Sequence, residues 1–238
     1  DLSEGYGLAL RVLQARQARV QLANLIGGAG HVVALWRGEP EQADRVLAEG
    51  EAAYGETLPM TLRYVFGAAA IDVALWRGDG VEALRLIEAL VPQIRPMMIH
   101  HAVSGNLALV RSLAWLMRAD VAPEQAARNA RRAAKKLSRR SFAAPLIGAL
   151  IAQANWLEGR KDAEVVPLLR QAQVALLNGG MLLHADAIGA LLEVRAGRRP
   201  TGSPAHLGMW RAAGAALLPK SPTSTIATEP ESTSGAPT

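Results

Sequence analysis

The chain has 238 residues, five more basic than acidic, and a pI near 10.1. Half of it is apolar, only 4% is aromatic and none is cysteine, which excludes disulfides, thiolate nucleophiles and cysteine metal sites. That length can bury a sizeable core, and so mild a basicity does not define a nucleic-acid partner.

Taken from the N-terminus, the apolar spacing predicts helices over 3–16, 18–37, 40–55, 59–77, 80–95, 97–118, 123–139, 142–158, 162–178 and 181–196. The chain opens on Asp1 with no basic region leading into an apolar run, so no signal peptide is expected. Its first helix reads as the second half of a pair, in a fragment cut from a longer protein. In "VVALWRGEPEQADRVLAEG", Gly38 suits a left-handed helix cap and Pro40 the first turn of the next helix. In "DVALWRGDGVEALRLIEAL", Gly78 repeats that cap and Asp79 can cap the following helix through its carboxylate. "LAWLMRADVAPEQAARNA" has a longer turn punctuated by Asp120 and Pro123. In "QANWLEGRKDAEVVPLL", Gly159 stops one helix and Asp162 starts the next. The longest uncharged stretch, 141–157, carries Pro145, Gln153 and Asn155 and is too short for a membrane span; it reads as a buried helix. After 197 the pattern stops. Residues 198–218 form a degenerate segment with room for a short helix near 205–217. Residues 219–238, rich in Ser, Thr and Pro, are expected to be disordered.

One apolar pattern recurs through these helices. Ala43, Val46, Leu47, Gly50, Ala53 and Tyr54 share their spacing with Ala83, Leu86, Ile87, Leu90, Gln93 and Ile94, and with Val165, Leu168, Leu169, Ala172, Ala175 and Leu176. Ala126, Ala130, Ala133 and Leu137 form a weaker copy. A tryptophan precedes each one: Trp36, Trp76, Trp115 and Trp156, spaced 40, 39 and 41 residues apart. A fixed period in this range is the mark of stacked helix pairs. The fold expected over 1–197 is therefore all-α, a right-handed solenoid of about five tetratricopeptide-like pairs with a period of about 40. Its structural anchors are Trp36, Gly38, Ala43, Trp76, Gly78, Ala83, Trp115, Trp156 and Gly159. Trp36 and Trp76 share the string "VALWRG", so equivalent, largely buried positions are expected for both.

Three stretches carry a more specific likeness: "GEPEQADRVLAEGEAAYGETLPMTLRYVFGAAAIDVALWRGDGVEAL", "MMIHHAVSGNLALVRSLAWLMRA" and "VVPLLRQAQVALLNGGMLLHADAIGALLEVRAG". Together they resemble the C-terminal helical region of large bacterial serine/threonine protein kinases, in which a kinase domain precedes a signal-transduction ATPase module and tetratricopeptide-like repeats. "HLGMWRAAGAALLPK" resembles a degraded form of the Trp-containing segment that often closes that family. The resemblance implies a kinase parent in the cytoplasm but assigns no catalysis to this chain. The kinase loops and the phosphate loop have no counterparts in it.

No residue set reads as catalytic. "IGGAGHVV" lacks the third glycine and the strand of a dinucleotide loop. Gly27, Gly28 and Gly30 read instead as a helix face closely approached by a neighbour. His100 and His101 are adjacent and cannot easily chelate one metal, and His31, His184 and His206 are isolated, so the histidines read as polar positions at helix edges. No cofactor, metal or membrane partner is expected. The one asymmetry is a basic stripe, Arg128, Arg132, Lys135 and Arg139, in a region free of acidic residues from 125 to 157. It reads as a solvated face or as a dock for an acidic or phosphorylated protein segment, including the parent's own upstream domains. Nucleic acid is disfavoured, because no aromatics interleave with the bases. A second candidate surface is the inner face of the first helices of each pair, with Arg63, Tyr64, Asn106, Arg111 and Asn155. The reading is a non-catalytic interaction and regulatory module. Its rivals are an inducer-binding sensor arm of a transcriptional regulator and an α/α enzyme with an unrecognised site.

Overall fold

The computed structural model describes residues 2–16, 19–54, 59–137, 144–200 and 202–219. The expected disorder of 219–238 falls almost entirely outside them, as does Arg139. The described residues are all-α, with no strand among them. The helices are α1 (Leu2–Ala15), α2 (Arg19–Leu25), α3 (His31–Arg37), α4 (Pro40–Tyr54), α5 (Met60–Arg77), α6 (Gly80–Gln93), α7 (His101–Leu116), α8 (Pro123–Ala134), α9 (Leu146–Leu157), α10 (Asp162–Asn178), α11 (Leu182–Arg195) and α12 (Pro204–Ala212).

Several boundaries depart from the sequence expectation, among them the helix expected over 142–158, which begins only at Leu146. The single helix expected over 18–37 contains a π-helical turn at Ile26–Gly30, with helical backbone at both junctions. Its glycines admit neighbours that side chains would exclude. A Cβ on Gly27 would lie 2.8 Å from Val65 Cγ1, and one on Gly30 would lie 2.7 Å from the Tyr6 hydroxyl. Gly28 has nothing within 4 Å, so close approach does not account for it. The helix expected over 97–118 starts only at His101, because Pro96 opens a separate 3-10 turn at Arg95–Ile99. The helix expected to run to 139 ends at Ala134.

Chain punctuation follows the local chemistry. Gly38 and Gly78 take left-handed caps at φ 81° and 72°, each donating its N–H to carbonyls of the preceding turn. Asp79 accepts from the Glu82 N–H at 3.0 Å and caps α6. Asp162 does not cap α10, which has no side-chain cap; its carboxylate accepts from Arg195 Nε at 2.5 Å instead.

Consecutive helices from α3 to α11 pack on one another, and α3, α5, α7 and α9 also touch in a row. The recurring small positions sit at the tightest places. Ala43, Ala83, Ala126 and Val165 are fully buried. The core falls into two clusters. One runs from Ile71 through the later helices to Leu218, and the other gathers Leu35, Leu62, Phe66 and Trp76 near the N-terminal end. Helix α12 contributes Leu207 to the first and Met209 to the second. Residues 202–219 are therefore part of the packed body, and α12 falls close to the short helix expected near 205–217.

Two glycines separate packing from propensity. Gly80 abuts α7, where a Cβ would stand 2.3 Å from the Ala114 carbonyl oxygen and 3.0 Å from Met117 Cβ. Gly148 of α9 meets only the Leu168 carbonyl at 3.7 Å. Gly80→Ala is expected to cost about 2–3 kcal/mol by overpacking. Gly148→Ala should gain about 0.5–1 kcal/mol from helix propensity. Denaturant melts of the two variants against the parent read both signs.

Candidate functional site

Helix α12 lies against α5, α3 and α11. Helices α3 and α11 stand near opposite ends of the packing order, yet both touch a helix of 9 residues, roughly 13 Å long. The row therefore curls round α12. Ser203 accepts from the His206 N–H and caps α12, and Pro204 sits in its first turn. Gly208 then meets Trp76 so closely that a Cβ would lie 2.2 Å from the indole ring.

Beside that contact Arg211 is only 4% exposed. It donates to the Trp76 carbonyl from Nε at 3.1 Å and Nη2 at 2.5 Å, and to the Pro219 carbonyl from Nη1 at 2.8 Å. Trp76 lies in the last turn of α5, where carbonyls lack helical partners, so the guanidinium answers an open acceptor at the negative end of a helix. Burial pushes the Arg211 pKa down, and the hydrogen bonds stabilise its charged form. A second clasp comes from Gln153 of α9, which is fully buried. It donates to the Gly214 carbonyl at 2.7 Å and accepts from the Leu217 N–H at 3.3 Å.

The tryptophans divide according to what covers them. Trp76 is 8% exposed beneath α12, whereas Trp36 is 49% exposed and meets the His206 ring edge-on at 5.7 Å. The expectation that both are buried fails at Trp36, because α12 crosses one and grazes the other. Trp115 and Trp156 are half-buried, with the Arg118 and Arg195 guanidinium groups 5.2 and 5.0 Å from their ring centres.

The residues expected on the inner face do not all meet. Asn106 donates to the Tyr64 hydroxyl at 3.2 Å, joining α7 to α5. Burial pushes the Tyr64 pKa up, against the Asn106 hydrogen bond, and Asp72 adds to the rise. Arg63 is exposed and Arg111 half-buried. Asn155 faces α8, where it accepts from Arg131 at 3.0 Å beside Glu158. It belongs to a different contact from Tyr64 and Asn106.

Of the basic stripe, Arg128, Arg132 and Lys135 are exposed. Arg131 turns inward to a bidentate pair with Glu158, whose carboxylate also feels Arg128 and Arg160. The stripe thus borders an acidic residue from α9's end.

Sequence reasoning missed Asp72, His31, His184 and Arg211. His31 is 3% exposed, not at a helix edge, and it lines a cleft with Asp72, Asn106 and His184. Among the described residues no group of three or more ligating side chains could hold a metal ion, and no helix is long and apolar enough to cross a membrane. Compared with protein-family models, curated proteins and solved structures, the chain gives no match.

Gly208→Ala forces a methyl into the Trp76 ring, and Arg211→Ala leaves the Trp76 carbonyl without its donors. The first should cost about 1–3 kcal/mol and the second about 1.5–3 kcal/mol. Both should shift tryptophan emission to the red as Trp76 meets water. Unchanged melting and emission in both variants would refute the seating of α12.

The Arg131 hydrogen bonds hold Glu158 below its ordinary pKa of 4.5. A carboxylate with a depressed folded pKa contributes its stability above the unfolded value and loses it as pH falls through the folded one. Glu158→Gln should therefore be less stable than the parent near neutral pH, by about 1 kcal/mol for a half-buried, charge-assisted pair. The two melting curves should converge in acid.

Proposed function

We propose that this chain is a non-catalytic regulatory module, built as a right-handed α-solenoid of about five tetratricopeptide-like pairs, whose inner face receives a helix. The observation that carries this reading is the seating of α12 on α3, α5 and α11 with a buried arginine at its centre. A face that holds one helix through a capped end, a glycine contact and a guanidinium clasp has the features of a helix-in-groove receptor. Its own C-terminal helix is then an internal occupant, and a partner helix bearing a Gly-x-x-Arg pattern would compete for the same place.

The wider setting follows from the resemblance to kinase-associated repeats. The module would lie C-terminal to a serine/threonine kinase and a signalling ATPase in the cytoplasm and bind protein segments in place of substrates. The exposed stripe Arg128, Arg132 and Lys135, with Arg139, would attract an acidic or phosphorylated segment and hold it less firmly as salt rises.

The test uses the full chain with Arg211→Glu, which reverses the clasp while leaving the groove walls intact. A fluorescent peptide of residues 202–219 should bind this variant saturably and bind the parent far less, because the parent's groove is filled. The same peptide carrying Glu at the Arg211 position should bind neither. Failure of the native peptide to bind the variant, with the variant's helix content preserved, would overturn the receptor reading.

A further inference from the structure

Below α12 the cleft is walled by α3, α5, α7, α11 and α12 and has a volume of about 210 Å³. That is roughly seven times the volume of a water molecule in the liquid. Leu35, Leu109 and Met209 give it apolar sides. Its polar groups are few. His31 is almost wholly buried, and neither of its ring nitrogens makes a hydrogen bond. A buried polar side chain is ordinarily paired, so two orphaned nitrogens in one ring call for a partner. Asp72 Oδ2 stands 3.6 Å from His31 Nε2, beyond hydrogen-bond range, and its side chain is 43% exposed. Asn106 is oriented by its bond to the Tyr64 hydroxyl and adds a carbonyl acceptor to the lining.

The signs of these groups narrow the ligand class. Among the described residues no lysine or arginine lines the cleft, and Asp72 is its one carboxylate. Burial pushes the His184 pKa down, which keeps that ring uncharged at neutral pH. An anion would meet a carboxylate with no cation to offset it. A metal ion is disfavoured by the lack of a ligating trio among the described residues. A neutral alcohol could serve the imidazole but would leave the carboxylate's charge unanswered. A compact ammonium group carries donors for both and a charge opposite to that of Asp72.

We propose that this cleft binds a small primary ammonium compound with a short apolar body, its N–H groups donating to the Asp72 carboxylate and the His31 ring and its body lying on Leu35, Leu109 and Met209. Because α12 supplies part of the wall, the occupied cleft belongs to the form with α12 docked, and the ligand would favour that form over the open one. The cleft adjoins the helix-receiving surface and shares Met209 and Ala212 of α12 with it, but its test does not depend on peptide binding.

The probe is butylammonium chloride, titrated into the isotopically labelled full chain at constant ionic strength, with n-butanol and sodium butyrate as comparison solutes. Long-range nitrogen–proton spectra of the histidine rings report the site. The expected result is a saturable shift of the His31 ring with butylammonium across the millimolar range and none with butanol or butyrate. Asp72→Asn should weaken it about tenfold while leaving the backbone spectrum unchanged. Asp72→Ser repeats the measurement if the amide variant fails to fold, and the contrast among the three solutes on the unaltered chain needs no variant. Equal shifts with butanol or butyrate, no saturable shift with butylammonium, or undiminished binding by a folded Asp72 variant would each overturn the proposal.

Discussion

The docking of Arg211 on the Trp76 carbonyl organises much of this molecule. An α-helix ends with carbonyls that want donors, and α5 ends against α12. Supplying a guanidinium there fixes the C-terminal helix where it can touch helices near both ends of the row. That placement puts Leu207 into one hydrophobic cluster and Met209 into the other. Removing a cation from water is costly, and three hydrogen bonds to two carbonyls meet that cost. Gln153 secures the turn after α12 from the opposite wall, so the segment is held at two points by polar atoms inside an otherwise apolar interior.

The same placement defines the space beneath it. Helix α12 roofs a small cleft whose floor comes from helices far apart in the chain. The combination of an apolar roof, a buried imidazole and a half-exposed carboxylate arises only because the row curls. A straight stack would leave His31 and His184 on separate faces. Curvature, the internal helix and the cleft are therefore three aspects of one packing arrangement.

What the sequence disclosed is what local chemistry decides. Ala43, Ala83, Ala126 and Val165 were legible as contact points because periodic small residues have one economical use on a helix. Gly38, Gly78 and Asp79 were legible because a cap involves only its own turn. The π-turn at 26–30 was not, since it depends on Tyr6, Val46 and Val65 approaching from other helices. Nor was the unequal burial of Trp36 and Trp76 within the same "VALWRG" string, because the difference comes from α12. Within the candidate site Trp76, Tyr64 and Asn106 were anticipated. His31, Asp72, Gln153 and Arg211 were hidden because each is a lone polar residue in an apolar setting. Its meaning lies in a partner that no spacing rule connects to it.

The position of Pro219 adds a mechanical property. Arg211 grips the Pro219 carbonyl at the C-terminal limit of the described residues. Tension applied to anything attached beyond that point is delivered first to the guanidinium clasp and then along a helix of only 9 residues. The C-terminal end is thus the mechanical handle of the inner face: releasing the clasp frees α12 and with it the cover over Trp76.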